Sequence, residues 1–466
     1  MRLNNGRRAA LIFTALLCGA LPLAGQSSGL TLDQAQELAA RGSEAIRLKE
    51  LALQKSRSAI TEAASRAWPH VDFQASASYL TNPPQGYTVT KGEFGAINIG
   101  APFNVHTPLP TSDLTIGAQL HNYFAATATV SQPLFTWGKI SNAIDLASLQ
   151  SDAAGTDLVA QRRDIAREVS RAYYGARLAH QSQAVLEGMR DTAMLIVEER
   201  QKSFDQGSTN REPVLDAQAT LAAIQAQLSG AEQGEATARE TLGILTGVDA
   251  STVGLDGGFR ASLPGLDEAR LQGQALQGST DVTTSRTRIT QAQKKLAIER
   301  GGSILLPDVS FGASFSVTGQ EDLPYSSTWD WNNTTWDWDL ILSLGVKTSL
   351  FDGLSSAARI AQAEKDAEMA GTALSQAEKL TRLGVRSAVE NAVKADAEVS
   401  EKKAKADYAA ERRRNAEASY DTGSSTREDM YGAELLDGSA ELDWLMAQYA
   451  REEALADITR ITGERL

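Results

Sequence analysis

A metal site or an acid–base pair in this chain would have to come from His70, His106, His121 and His180, or from carboxylate pairs such as Glu452-Glu453. The histidines have no ligand spacing, and the acid pairs fall inside helical charge patterns that read as solvated surface. No nucleophile motif and no glycine-rich phosphate loop accompanies them. Cys18 is the only thiol, so disulfides and thiolate metal sites are excluded. The remaining binding chemistry is aromatic. Trp329, Trp331, Trp336 and Trp338 hold four of the seven tryptophans, which suits an interfacial belt, a lid over a mouth or a sugar-contacting surface. Catalysis and a bound cofactor or metal are not expected.

What the chain has instead is a duplication. Phe135 and Phe351, Gly207 and Gly423, Gly247 and Gly463, and Val169 and Val385 are each 216 positions apart, in similar local contexts. The turn Phe204-Asp205-Gln206-Gly207-Ser208 returns as Tyr420-Asp421-Thr422-Gly423-Ser424. A repeat that keeps its register over about 110 residues predicts two equivalent structural units in one object.

Each copy alternates two kinds of segment. Val71, Phe73, Ala75, Ala77 and Tyr79 interleave with Asp72, Gln74, Ser76 and Ser78, and Val309 to Val317 repeats the pattern. Partner stretches at 121–134 and 339–350 match at the same offset, Phe124, Ala126, Ala128 and Val130 corresponding to Leu340, Leu342, Leu344 and Val346. Period-two alternation over about ten residues predicts strands wetted on one face, and ten residues is also the length of a tilted bilayer-crossing strand. A soluble sandwich is the alternative. Long polar loops, about 81–120 and 319–338, join the strands. The rest reads as helix: 139–205 and 355–421 are each 67 residues without proline, about 100 Å long if unbroken. Shorter helices are predicted at 31–67, 211–247, 267–304 and 427–463. The apolar face of the long helices (Ile140, Ile144, Ala147, Ala154, Ile165, Val169, Ala172, Tyr173 and Ala176) is narrow and small, which suits helices packed side by side.

Residues 1–25 have the layout of a secretory signal: Arg2, Arg7 and Arg8, an apolar stretch from Ala9 to Leu17, and small residues around Ala24 and Gly25. Cys18 lies inside it; a lipid anchor would need small residues just before the cysteine, and Leu16-Leu17 fit that poorly. No later window approaches the ~20 apolar residues of a spanning helix. Loss of three arginines takes the formal charge from −13 to −16, so nucleic acid and anionic lipid are not expected ligands. The predicted organisation is a signal at 1–25, a first repeat at 26–247, a linker or equatorial segment at 248–265 and a second repeat at 266–466. Four strands per chain cannot close a spanning barrel, and open edges are not tolerated in lipid, so several chains must pool theirs. The fold class is mainly α with a small β part: a long α-helical barrel plus a transmembrane β-barrel completed by oligomerisation. Trp68, Trp137, Phe135 and Phe351, near strand ends, suit the membrane interface or ordinary packing at the strand–helix junctions.

In its motifs the chain resembles the TolC-like outer membrane efflux proteins. Leu30-Thr31-Leu32-Asp33-Gln34-Ala35 is similar to that family's opening helix, and Trp68-Pro69-His70-Val71-Asp72 and Leu306-Pro307-Asp308-Val309 to its helix-to-strand step. Gln132-Pro133-Leu134-Phe135 and Thr348-Ser349-Leu350-Phe351 resemble the strand-to-helix step, and 204–218 the periplasmic tip. The resemblance spans roughly 30–463. It implies a homotrimer in outer-membrane lipid, with its helical part in the periplasm, forming the exit duct of a tripartite pump with a periplasmic adaptor (membrane fusion) protein and an inner-membrane transporter. Type I protein secretion and a non-channel coiled-coil envelope protein are the alternatives. Gly207, Ser208, Arg211, Gly423, Ser424 and Arg427 become adaptor-docking candidates, with Ser208 and Ser424 standing where the family commonly has an apolar residue. Asp429 matches the first acidic position of the family's periplasmic gate, Gly432 occupies the second, and Glu428 or Glu434 are substitutes. Asp429 is equally suited to a helix N-terminus, where the dipole favours an acid.

Overall fold

The computed structural model describes residues 29–82, 87–102, 105–116, 122–249, 254–302, 306–321 and 335–464. The predicted signal segment with Cys18, and Trp329 and Trp331, lie outside them. In chain order the elements are α1 Leu32–Gly42, α2 Glu44–Ser65, β1 His70–Tyr79, β2 Tyr87–Val89, β3 Ala96–Ile99, β4 Val105–Pro108, β5 Leu114–Ile116, β6 Asn122–Phe135, α3 Lys139–Asp205 and α4 Glu212–Thr246. The second half has α5 Glu268–Gly278, α6 Thr280–Gly301, β7 Asp308–Glu321, β8 Thr335–Lys347, α7 Ser355–Asp421 and α8 Arg427–Thr462. Among the described residues no helix is long and apolar enough to cross a membrane.

Two predicted helices are each broken in two, at Ser43 and Ser279. Ser279 has an extended backbone, and its hydroxyl accepts from the Val282 N–H, so it ends α5 and caps α6. Ser43 is also extended, without a side-chain cap. The predicted 81–120 loop contains two small antiparallel ladders, β2 with β5 and β3 with β4. Glu93 ties the first turn together, accepting from the Tyr87 hydroxyl at 3.0 Å and the Thr90 N–H at 2.6 Å. Trp336 and Trp338 lie in β8 rather than in a loop.

The residues divide into two compact units. Among the described residues, one holds those of Gly42–Arg167, Ser262–Glu398 and 453–464; the other holds 29–41 and those of Glu168–Ala261 and Val399–Glu452. The first contains one four-stranded antiparallel sheet in the order β1-β6-β7-β8. Its helices meet through small or branched side chains: Val385, Ala388, Val389 and Ala392 of α7 pack on Leu271 and Ala275 of α5 and on Leu455 and Ile458 of α8. Ion pairs join other helices of this unit, with Arg162 of α3 2.9 Å from Glu50 of α2, and Lys294 of α6 2.7 Å from Asp145 of α3. In the second unit Leu186 and Ala193 of α3 pack on Ile224 and Leu228 of α4, with Leu435 and Leu442 of α8 against them. Burial of alanine removes little area per residue but lets helix backbones approach closely, which is why so narrow an apolar stripe suffices.

The second unit also places the segment after residue 253. Leu30 and Leu255 form a parallel bridge, closed by Leu30 N–H to the Gly254 carbonyl (2.7 Å) and Asp256 N–H to the Leu30 carbonyl (3.0 Å). The Tyr173 hydroxyl donates to both Leu30 and Asp256 carbonyls, and Arg177 donates to the Leu255 carbonyl at 3.0 Å. Glu452, almost fully buried, accepts from the Arg260 N–H at 2.9 Å, while Arg451, 1% exposed, donates to the Arg260 carbonyl. Phe259 stacks on Tyr174, whose hydroxyl is pushed up to about 12 by burial and by the nearby Glu452 carboxylate. The connector is thus clamped through its backbone.

Candidate functional site

Strand register decides what the sheet can do. Pairing aligns Val71–Val130–Ala313–Leu342, Phe73–Ala128–Phe315–Leu340, Ala75–Ala126–Val317–Trp338 and Ala77–Phe124–Gly319–Trp336 across all four strands. Every one of these rows is apolar. The intervening rows, such as Asp72–Thr129–Ser314–Ile341 and Gln74–Thr127–Ser316–Asp339, are polar or mixed. Because side chains alternate across a strand, one face is apolar and the other polar. The apolar face carries large exposed side chains, with Phe73 74%, Leu344 67% and Trp338 72% exposed. An apolar sheet face left open to this extent is suited to lipid, not to water.

Aromatics bracket that face. At one end Trp336 meets Phe124 edge-on, ring centres 5.6 Å apart. At the other, Phe135 meets Trp137 edge-on at 4.8 Å, and Trp68 and Phe351 are exposed. The Trp137 indole N–H donates to the Pro307 carbonyl at 2.9 Å, and the Lys139 ammonium pairs with Asp308. These contacts fasten the β6–α3 turn to the start of β7. Trp137 therefore packs at the junction while remaining 40% exposed, so the two readings of this residue are compatible.

At the C-terminal ends of α3 and α7 are the two turns, both in the second unit. Gly207 has φ +72° and Gly423 φ +73°. The N–H of Gly207 donates to the Phe204 carbonyl at 2.8 Å and that of Ser208 to Ser203 at 3.0 Å; Gly423 donates to Tyr420 at 2.9 Å and Ser424 to Ser419 at 2.8 Å. This is a paired Schellman closure, which needs a residue tolerant of positive φ at the glycine position. The hydroxyls of Ser208 and Ser424 donate to the same Ser203 and Ser419 carbonyls, at 2.7 and 3.0 Å. The two serines thus use their hydroxyls to cap helix carbonyls.

After the turns the copies diverge. Thr426 and Asp429 form a reciprocal capping box: the Thr426 N–H donates to Oδ2 of Asp429 at 3.1 Å, and the Asp429 N–H donates to Oγ1 of Thr426 at 3.1 Å. The Thr426 hydroxyl and backbone N–H hold the Asp429 carboxyl below its ordinary pKa. At the first turn Arg211 occupies the cap position without a side-chain bond, and Pro213 stands where α8 has Asp429. Arg427 donates to the Tyr420 hydroxyl at 3.0 and 2.9 Å and lies 3.3 Å from Glu199, while Glu428 pairs with Arg200. Glu199 and Arg200 were not legible as site residues, because their partners Arg427 and Glu428 lie 228 positions away in sequence. Ser208, Arg211 and Ser424 are exposed, and Glu434 is half-buried beside Arg413, whose charge it supports. No group of histidines, cysteines and carboxylates that could hold a metal occurs among the described residues.

A protein-family model, outer membrane efflux protein, matches residues 35–248 and 271–464. The chain belongs to this family. As an outer membrane efflux protein it is a channel in the outer membrane with a periplasmic helical tunnel, the exit duct of a tripartite efflux pump. Its small β part is completed into a barrel by oligomerisation. Similar solved structures include the Vibrio cholerae outer membrane protein VceC, 17% identical over 93% of this chain and 96% of that one, TM-score 0.68. The Campylobacter jejuni outer membrane channel CmeC is 16% identical over 99% and 94%, TM-score 0.70. The open-state Neisseria gonorrhoeae channel MtrE is 16% identical over 93% and 89%, TM-score 0.70. No curated protein matches the chain.

Proposed function

We propose that the efflux duct is a homotrimer whose periplasmic end, built from the two glycine turns, docks an adaptor (membrane fusion) protein and through it an inner-membrane transporter. The observation that carries the trimer is the sheet: four strands, two free edges and one exposed apolar face. Three copies pool twelve strands, above the roughly eight at which spanning barrels begin. In this reading the blocks 26–247 and 266–466 are the two wall segments of each protomer, and 248–265 is the connector that binds them. Gly207, Ser208, Arg211, Gly423 and Ser424 present the docking surface. Arg427 acts there through the Tyr420–Glu199 contact rather than as a free cation.

Asp429 lines the periplasmic constriction, with Glu428 and Glu434 beside it. Three like carboxylates facing one narrow passage attract cations, and the lowered pKa of Asp429 keeps each charged. Light-scattering mass in detergent and conductance in planar bilayers test the reading together. Three chains per particle and ohmic, cation-preferring channels are expected. A monomeric or non-conducting protein refutes the trimeric duct; selectivity unchanged in Asp429→Ala removes the gate assignment alone.

A further inference from the structure

The two small ladders between β1 and β6 belong to one long ribbon. β2 pairs with β5 from Tyr87–Ile116 to Val89–Leu114, and β3 with β4 from Ala96–Pro108 to Ile99–Val105. Backbone bonds continue between them: Gly92 N–H to the Pro110 carbonyl at 3.1 Å, Phe94 N–H to Leu109 at 2.9 Å and Leu109 N–H to Gly95 at 2.8 Å. The pairing shifts by one residue at Gly95, whose φ of +90° admits the bulge. The ribbon is rooted at the end of the sheet away from the helices, because β1 follows α2 and β6 leads into α3. In an outer-membrane duct with a periplasmic tunnel, that end is the outer mouth.

The distal part of the ribbon has one apolar face. Ile97 and Ile99 of β3 share it with Thr107 and Val105 of β4, while Asn98 and His106, joined by a side-chain hydrogen bond, share the other. Ile97 is 50% exposed and Phe94, beside the bulge, 74%; Ile99, Val105 and Leu109 are exposed as well. Residues 81–120 hold only three Asp, Glu, Lys or Arg, namely Lys91, Glu93 and Asp113, and none lies between 94 and 109. Glu93 is held by Tyr87 and Thr90, and Asp113 accepts from the Lys91 N–H at 2.7 Å. Two strands alone are marginal in water, and an apolar face of this kind needs a cover.

We propose that these faces dock on one another, the ribbons of the assembled copies converging over the outer mouth of the duct. The inference rests on the trimeric duct proposed above and adds to it a contact outside the membrane. Three observations choose a second copy as the occupant. The first is reach. The ribbon is roughly 40 Å long at ~3.3 Å per residue, while twelve pooled strands spaced ~4.8 Å and tilted about 40° enclose a mouth of roughly 12 Å radius. The second is charge: identical faces meet without repulsion only if they are uncharged, and these are. The third is continuity. β1 is an edge strand of the sheet, so in the completed barrel each ribbon rises beside another copy. Tethered at one rim, the ribbons meet at an effective concentration that free chains lack, so a small patch suffices.

The test places a thiol on either face of β3, in full-length protein carrying Cys18→Ser so that the introduced thiol is the only one. Packed β faces lie ~10 Å apart, so Ile97→Cys thiols of neighbouring copies fall within reach of a short bismaleimide, whereas Asn98→Cys thiols point away from the contact. Covalent dimers in outer membranes, several-fold more abundant for Ile97→Cys than for Asn98→Cys, are expected. Adding Ile99→Asp to Ile97→Cys brings like charges to the contact and should cut the dimer several-fold while the trimer persists. Equal linking from both faces, or linking indifferent to Ile99→Asp, shows mere proximity of tethered ribbons and overturns the docking. Quenching of a fluorophore on Ile97→Cys by nitroxide-bearing lipids in phospholipid vesicles assigns the face to the outer leaflet and overturns it too. So does absence of both signals in trimers that still conduct. In each of these cases the duct reading stands; an unsubstituted chain that is monomeric and silent removes both.

Discussion

Placing arginine on either face of the sheet separates a lipid-facing wall from a packed sandwich. Ala313 and Ser314 are consecutive residues of the central strand β7, so they point to opposite faces. Ala313 stands in the row Val71–Val130–Ala313–Leu342 and Ser314 in the row Asp72–Thr129–Ser314–Ile341. On β6, Val130 lies five residues from Phe135 and six from Phe124, the aromatic positions that bracket the apolar face. At roughly 2.5 Å of height per residue in a tilted strand, that is about 13 and 15 Å, the middle of an apolar band ~25 Å tall. Arginine at mid-depth on a lipid face costs about 2–4 kcal/mol, or about 30- to 900-fold in the folding equilibrium per chain. Alanine contributes little packing, so the cost of Ala313→Arg is nearly all transfer of the charge. Ser314→Arg meets the polar face, with Asp72 and Thr129 along its row, and should cost within about 1 kcal/mol. The assay is equilibrium folding into phospholipid vesicles across a urea series, followed by tryptophan fluorescence. Equal costs, or a larger one for Ser314→Arg, would show that the apolar face does not meet lipid.

Other outcomes concern the turns and the connector. Gly423→Ala adds a Cβ that meets open space, so only the positive φ is penalised, by about 1–2 kcal/mol; amide exchange around 419–424 should quicken about 5- to 30-fold, and Gly423→Asn less. Thr426→Ala removes the α8 cap and should cost about 1 kcal/mol, seen as about fivefold faster exchange in the first turn of α8. The Asp429 carboxyl is lowered in the folded state, so its stabilising contribution is complete above the ordinary carboxylate pKa and disappears as pH falls through the lowered value. Protection at 427–430, corrected for intrinsic exchange, should drop only in acid, and should not vary with pH in Asp429→Ala. Glu452→Ala leaves the Arg260 N–H and part of its guanidinium unpaired and should cost about 1–3 kcal/mol, read as faster proteolysis across 254–261.

Much of this was legible because the governing patterns are periodic. Strand alternation at 70–79 and 308–317 gives the face of every side chain without any tertiary information, and the two proline-free stretches set the limits of α3 and α7. The breaks at Ser43 and Ser279 were not legible: a single serine is compatible with a helix interior, and only its extended backbone reveals a boundary. Nor were the ladders inside 81–120, whose strands of three and four residues are too short for a period to register. At the turns, glycine spacing revealed the geometry but not the chemistry. The serine hydroxyls close onto carbonyls five residues back, and the Glu199–Arg427 and Arg200–Glu428 pairs join residues that no local pattern connects.

Duplication copies backbone geometry more faithfully than side-chain chemistry, and the strand-to-helix junctions show the difference. Trp137 and Gly138 both have positive φ, as do their counterparts Gly353 and Leu354, so the turn keeps its conformation while glycine changes places within it. Each copy thereby holds one non-glycine residue in a costly conformation, and each needs contacts that compensate. The first copy has them: the Trp137 indole on the Pro307 carbonyl and Lys139 on Asp308. In the second copy those positions are Gly353 and Ser355, and the counterpart of Asp308 is His70. Neither the indole donor nor the ion pair can be rebuilt from these residues, so the second junction keeps the backbone conformation of the first without its side-chain fastening.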